Sequence, residues 1–124
     1  MDATFKKIVL QLSEKTKEGK VNWRTGNTSN EYCLLLPEST VSIGVYQSGG
    51  IYFVECKILN TRGDIILREN VLQTSEDGAF LVEFFTLVRD AYTGKDRVLS
   101  ALFDHIEQDP IIGAPEDNSE ELPF

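Results

Sequence analysis

Cysteine, histidine and proline are all scarce in this 124-residue chain, at two, one and four residues. Cys33 and Cys56 are too few for the disulfide framework of a small secreted domain, so both read as free thiols. With His105 they also fall short of the roughly four ligands at paired short spacings that a zinc site takes. No Asp-x-Asp-x-Asp-Gly loop occurs for calcium. No metal and no cofactor are therefore expected. Long apolar runs are missing too: nothing approaches the ~20 consecutive residues that cross a bilayer. The opening "MDATFKKIVLQLSEKTKEG" starts acidic and soon turns charged, unlike a secretory leader. The expected location is cytoplasmic, with no membrane association.

Positive charge is in short supply: 12 Lys and Arg stand against 20 Asp and Glu, for a net charge of −8. Generic binding to nucleic acid or anionic lipid needs a positive footprint that displaces counterions, and the overall balance argues against both. The charge is unevenly placed. Residues 3–30 carry Lys6, Lys7, Lys15, Lys17, Lys20 and Arg24 against only Glu14 and Glu18, whereas residues 101–124 carry seven acids and no Lys or Arg. Such a tail rests on the chain's own basic region or serves a partner.

What is present is an ordinary globular composition. Hydrophobic residues make up 41% of the chain and aromatics 10%. That is too much for a disordered chain. The length suits one domain with a single core. Asp2 can cap a helix whose Phe5, Ile8, Val9 and Leu12 recur at i, i+3, i+4 and i+7. Lys15 and Lys17 suit the negative end of that helix, and Gly19 its left-handed exit. Short alternating or apolar runs follow at 21–25, 32–36, 41–45, 51–59 and 65–72, joined by short loops, which predicts antiparallel neighbours in a meander. Thr74 or Ser75 then caps a helix that is apolar over a wide arc: Phe80, Leu81, Phe84, Phe85, Leu87, Val88, Ala91 and Tyr92. After Thr93-Gly94, Asp96 can cap another helix with Leu99, Leu102, Phe103 and Ile106 in a stripe, stopped by Asp109-Pro110. The predicted fold is α+β: an N-terminal helix, an antiparallel meander of four to five strands, two C-terminal helices and an acidic tail. One domain is expected over residues 1–108, with the tail at 109–124.

Catalytic patterns are weak. Gly19-Lys20 is followed by Val21 rather than Ser or Thr, which fails the phosphate-loop pattern, and Gly44 with Gly49-Gly50 fits a hairpin. His105 sits on a charged helix surface. Cys56 shares a strand face with Tyr52, Val54 and Ile58 and reads as core, while Cys33 has no clear inner face. Arg62-Gly63-Asp64 fits a turn, and Asn27-Thr28-Ser29 is a glycosylation acceptor only in a secreted protein. An enzyme ranks third among the readings. The second is weak nucleic-acid contact through Lys15, Lys17, Lys20, Trp23 and Arg24, with Trp23 stacking on a base and the cations on phosphate. Against it, Trp23 alternates with polar neighbours as a core residue does.

The first reading follows from apolar surplus. The helix over residues 80–92 is wider in its apolar arc than one face on a sheet requires. Phe80, Phe84, Leu87 and Ala91, with Leu122 and Phe124 of the tail, are the candidate contacts for a protein partner or a second subunit. No small-molecule ligand is suggested.

The run "LSEKTKEGKVNW", with Lys15-Thr16, Gly19 and Trp23, followed by a sheet and two helices, is similar to small bacterial proteins of unknown function. In size, acidity and element order the chain also resembles type III secretion chaperones and toxin-immunity proteins. That resemblance implies a non-enzymatic bacterial accessory protein that binds another protein; no binding residue of either group carries over.

Overall fold

A computed structural model describes residues 1–116. Helix α1 spans Ala3–Lys17, strands β1 to β5 span Arg24–Thr25, Glu31–Leu35, Ser39–Ser48, Ile51–Asn60 and Ile65–Leu72, and helices α2 and α3 span Glu76–Thr93 and Lys95–Gln108. The strands form one antiparallel sheet in the order β1-β2-β3-β4-β5, with every neighbour adjacent in sequence. This is the α+β fold that the pattern predicts. No helix among the described residues is long and apolar enough to cross a membrane.

Local chemistry sets the element boundaries. The Asp2 carboxylate accepts from the Phe5 N–H at 2.9 Å and starts α1. Gly19, at φ 72°, turns the chain out of it. Ser75 caps α2 by accepting from the Gly78 N–H at 2.9 Å, while Glu76 and Asp77 meet the positive end of its dipole. Gly78 is there for a different reason: a Cβ at that position would lie 1.7 Å from the Leu72 carbonyl oxygen, so only glycine lets α2 start this close to the end of β5. Several boundaries differ from the sequence expectation: β3 runs over Ser39–Ser48 rather than 41–45, and two others change more than length. The first strand shrinks to Arg24–Thr25, leaving Val21 and Trp23 outside it, although Trp23 still faces inward. Asp96 lies in the first turn of α3, and Gly94 takes the cap position without a side-chain hydrogen bond.

Both α1 and α2 lie on the same face of the sheet and run side by side in the same direction. At one end the Met1 amine meets Asp77 at 3.2 Å, and the Lys6 ammonium sits 5.5 Å from the centre of the Phe80 ring. At the other, Thr16 and Lys17 line a shared cleft with Leu87, Asp90 and Ala91. The core between helices and sheet contains Phe5 and Val9 from α1, Leu81, Phe84, Phe85 and Val88 from α2, and Tyr32, Leu34, Val41, Ile43, Val54 and Cys56 from the strands. Helix α3 has no buried residue.

Candidate functional site

The two helices that follow the sheet divide its apolar surface unequally. On α2, Phe84 is 2% exposed and belongs to the core, Phe80 and Leu87 are half-buried beside α1, and Ala91 is exposed. The wide apolar arc of α2 has a physical explanation: a helix wedged between a sheet and a neighbouring helix needs more than the ~100° stripe of one that meets a sheet alone. Leu122 and Phe124 lie outside the described residues.

The uncovered apolar surface is on α3. Val98, Leu99, Leu102, Phe103 and Ile106 are all exposed, Phe103 at 63%. Their spacing of i, i+1, i+4, i+5 and i+8 puts them on one side of the helix, while Arg97, Ser100, Asp104 and Gln108 fall on the other. Ile111 and Ile112, just beyond the helix, are exposed too. The stripe is visible in the sequence, but its periodicity carries no information on whether the chain covers it. Apolar residues scattered singly are normal on a protein exterior; five on one helical face, in a helix with none buried, are not.

The basic segment is arranged differently from what base stacking requires. Trp23 is buried, its Nε1–H donates to Thr16 Oγ1 at 3.1 Å, and its ring meets Phe84 edge-on at 5.8 Å. Thr16 is likewise buried, so the pair satisfies two polar groups that would otherwise be stranded in the core. Trp23 therefore presents no free ring face to a base. Lys17 pairs with Glu14 at 3.4 Å and Lys20 with Glu18 at 3.2 Å, while Lys15 and Arg24 are exposed. The tryptophan and the cations are neighbours along the chain, yet one turns into the core and the others turn out to water.

Candidate chemical groups are equally dispersed. Burial, reinforced by Glu69 and Glu55, pushes the Cys56 thiol up to about 12. That keeps it protonated and non-nucleophilic at neutral pH. Cys33 is half-buried on the opposite face of the sheet, its Sγ 3.6 Å from the Thr25 carbonyl oxygen. His105 is exposed, with Nδ1 2.8 Å from Oδ2 of Asp109, which caps the same helix. Among the described residues, no cluster of three or more His, Cys, Asp or Glu is placed to hold a metal ion.

The sheet face turned away from the helices is a polar lattice. Cross-strand register aligns Arg24, Cys33, Ser42, Lys57 and Arg68 in one row across all five strands. Glu55, on the same face, accepts from Arg68 Nε at 2.6 Å and from Asn70 Nδ2 at 3.1 Å, and stands 3.6 Å from Lys57. Tyr46 donates its hydroxyl to Asn70 Oδ1 at 2.9 Å and stacks on Phe53 at 5.2 Å. Cations and carboxylate thus neutralise one another there, as on the solvated side of a one-layer sheet.

A second apolar feature flanks α1. On the side away from α2, a groove of ≈ 820 Å³ runs between that helix and the region where β2 turns into β3. Ile8, Leu12, Leu36, Val41 and Ile58 line it, and its charged lining is balanced, Lys7 and Lys15 against Glu14 and Glu18. It is open and dominated by aliphatic side chains. Nothing in the linear pattern points to it, because its walls come from α1, the β2–β3 turn and β4, which are far apart along the chain. No known protein family, no curated protein and no solved structure matches this chain.

Proposed function

We propose that this chain is a non-enzymatic protein-binding accessory protein whose binding element is the apolar face of α3. One observation carries this: a 14-residue helix with five large apolar side chains on one side and no buried residue. A helix that left such a face to water would lose the tertiary packing that normally holds short helices together. A protein surface that takes an amphipathic helix supplies that packing, in the helix-in-groove mode with anchors at i, i+4 and i+8. The scattered thiols and the solitary surface histidine support a binding role over a catalytic one, since covalent catalysis needs a nucleophile, a base and an orienting group in mutual reach.

The binding surface then lies one helix along from the residues that periodicity alone favours. Phe84 works inside the fold, whereas Phe103 and its neighbours face outward. A photocrosslinking residue at position 103 tests this directly in the host cell. It is expected to trap one discrete protein adduct, whether foreign or a second copy, that the same probe at Ser100 on the opposite side does not give. Equal labelling at both positions, or none at either, would sink the reading.

A further inference from the structure

Ser42, in the middle of β3, is 6% exposed, and its buried hydroxyl has no hydrogen-bond partner. Among the described residues it is the only buried side-chain nitrogen or oxygen left in that state. Buried hydroxyls are nearly always paired, so an orphan of this kind has a cause worth finding.

Its place in the sheet narrows what the partner can be. The bonds from the Val45 N–H to the Asn30 carbonyl and from the Leu36 N–H to the Ser39 carbonyl mark the hydrogen-bonded pairs between β2 and β3. Such pairs alternate with narrow ones, which makes Cys33 and Ser42 a narrow pair, with Cα atoms about 4.5 Å apart. Their side chains stand side by side on the sheet face that carries no helix. On the other flank of Ser42, Lys57 has only donors to offer and is turned to Glu55 at 3.6 Å. The Cys33 thiol is turned to the Thr25 carbonyl oxygen at 3.6 Å. The hydroxyl thus neighbours a sulfur that is a weak acceptor and is engaged elsewhere. One oxygen added to that sulfur supplies the missing acceptor.

Independently of the role given to α3, we propose that Cys33 is a site of reversible oxidation by hydroperoxides, with the Ser42 hydroxyl holding the sulfenic acid that forms. The Cys33 thiolate attacks the terminal oxygen of the peroxide. A sulfur–oxygen bond forms as the oxygen–oxygen bond breaks, and sulfur gives up two electrons. The departing hydroxide or alkoxide takes the proton that the thiol released. The Ser42 O–H then donates to the new oxygen. Cys33 is half-buried and open to so small a reactant, whereas Cys56 is 1% exposed on the opposite face, too far round to close a disulfide with it. Reduction therefore falls to a small external thiol. It displaces the oxygen as water and leaves a mixed disulfide, from which a second such thiol frees Cys33.

The full chain, Cys33→Ser and Ser42→Ala are treated with hydrogen peroxide, trapped with dimedone at set times and read by peptide mass spectrometry. Wild type is expected to give one adduct, on Cys33, and Cys33→Ser none. Removing an unpartnered hydroxyl leaves the reduced chain folded, which its urea midpoint checks. In Ser42→Ala the sulfenic acid is expected to pass to sulfinic acid ~10-fold faster, the effect of one lost hydrogen bond. The rate at which iodoacetamide alkylates the reduced thiol stays within ~2-fold of wild type, because that reaction forms no sulfur–oxygen bond.

A folded chain that yields no Cys33 adduct at millimolar peroxide overturns the site. Equal sulfenic acid lifetimes in wild type and Ser42→Ala overturn the pairing with Ser42. A shorter lifetime accompanied by an equally changed alkylation rate overturns it as well, since altered packing around the thiol then accounts for both.

Discussion

Leucine-to-alanine replacements at Leu81 and Leu102 separate what folds this chain from what it leaves uncovered. Leu81, in α2, is 0% exposed, and removing its branch leaves a cavity in close-packed surroundings. Such changes cost about 2–5 kcal/mol, a large part of the ~5–15 kcal/mol that holds a domain together. Leu102, in α3, is 50% exposed. Full burial of a leucine is worth about 1.5–3 kcal/mol, so the half already covered amounts to about 1 kcal/mol. Alanine's higher helix propensity returns a little of that. In dilute solution Leu81→Ala is therefore expected to lower unfolding free energy by at least ~2 kcal/mol, and Leu102→Ala by less than ~1 kcal/mol. Urea titration followed through Trp23 reads this cleanly, since the chain's single tryptophan lies in the core that unfolds. Concentration adds a second axis. Covering the remaining half of each of the five α3 side chains is worth about 1 kcal/mol apiece, or about 5 kcal/mol per helix. Association itself costs about 4–15 kcal/mol. That gain falls at the low end of the cost, so a partner of α3 must add contacts of its own. If α3 docks on a partner as proposed, the Leu102→Ala penalty grows with that partner's concentration while that of Leu81→Ala holds constant. Equal losses at the two positions in dilute solution would refute the division of labour between α2 and α3.

The core and its edges supply further tests. Thr16→Val strands the Trp23 indole N–H and lowers stability by about 1–3 kcal/mol; combining it with Trp23→Phe costs less than the two changes summed, measured as a double-mutant cycle. Gly78→Ala forces a methyl against the Leu72 carbonyl. It destabilises by about 1–3 kcal/mol despite alanine's helix preference, seen as a lower urea midpoint. With a thiol reagent at pH 8, Cys33 reacts in the folded chain and Cys56 only after unfolding. The pH dependence has a definite sign: between pH 9.0 and about 12 the unfolded chain releases the Cys56 proton while the folded chain retains it. Stability therefore falls as pH rises through that window, and a Cys56→Ala chain shows a shallower fall in its urea midpoint.

Periodicity made most of the elements legible. The Phe5, Val9 and Leu12 stripe, the even-numbered face of β4 and the Ser75 cap each state a local preference that the fold keeps. Trp23 was readable as a core residue from alternation, though not its bond to Thr16, which depends on where α1 ends relative to β1. The least legible quantity was which apolar face remains uncovered. A wide arc on α2 and a narrow stripe on α3 look like surplus and sufficiency in one dimension. In three, α2 has both a sheet and α1 to cover it, and α3 has only the end of α2. Gly78 was silent for the same reason: nothing local to α2 announces that the Leu72 carbonyl lies against it.

Gly94, at φ 69° and ψ 35°, ends one helix and begins the next with no side-chain cap. The direction in which the last helix leaves the body is thus decided at a single left-handed residue that only glycine occupies without strain. None of the described side chains beyond that pivot is buried, so the outer arm is free to vary in sequence without loosening what lies before it. What folds this chain and what it leaves uncovered are written in separate stretches, joined at one residue.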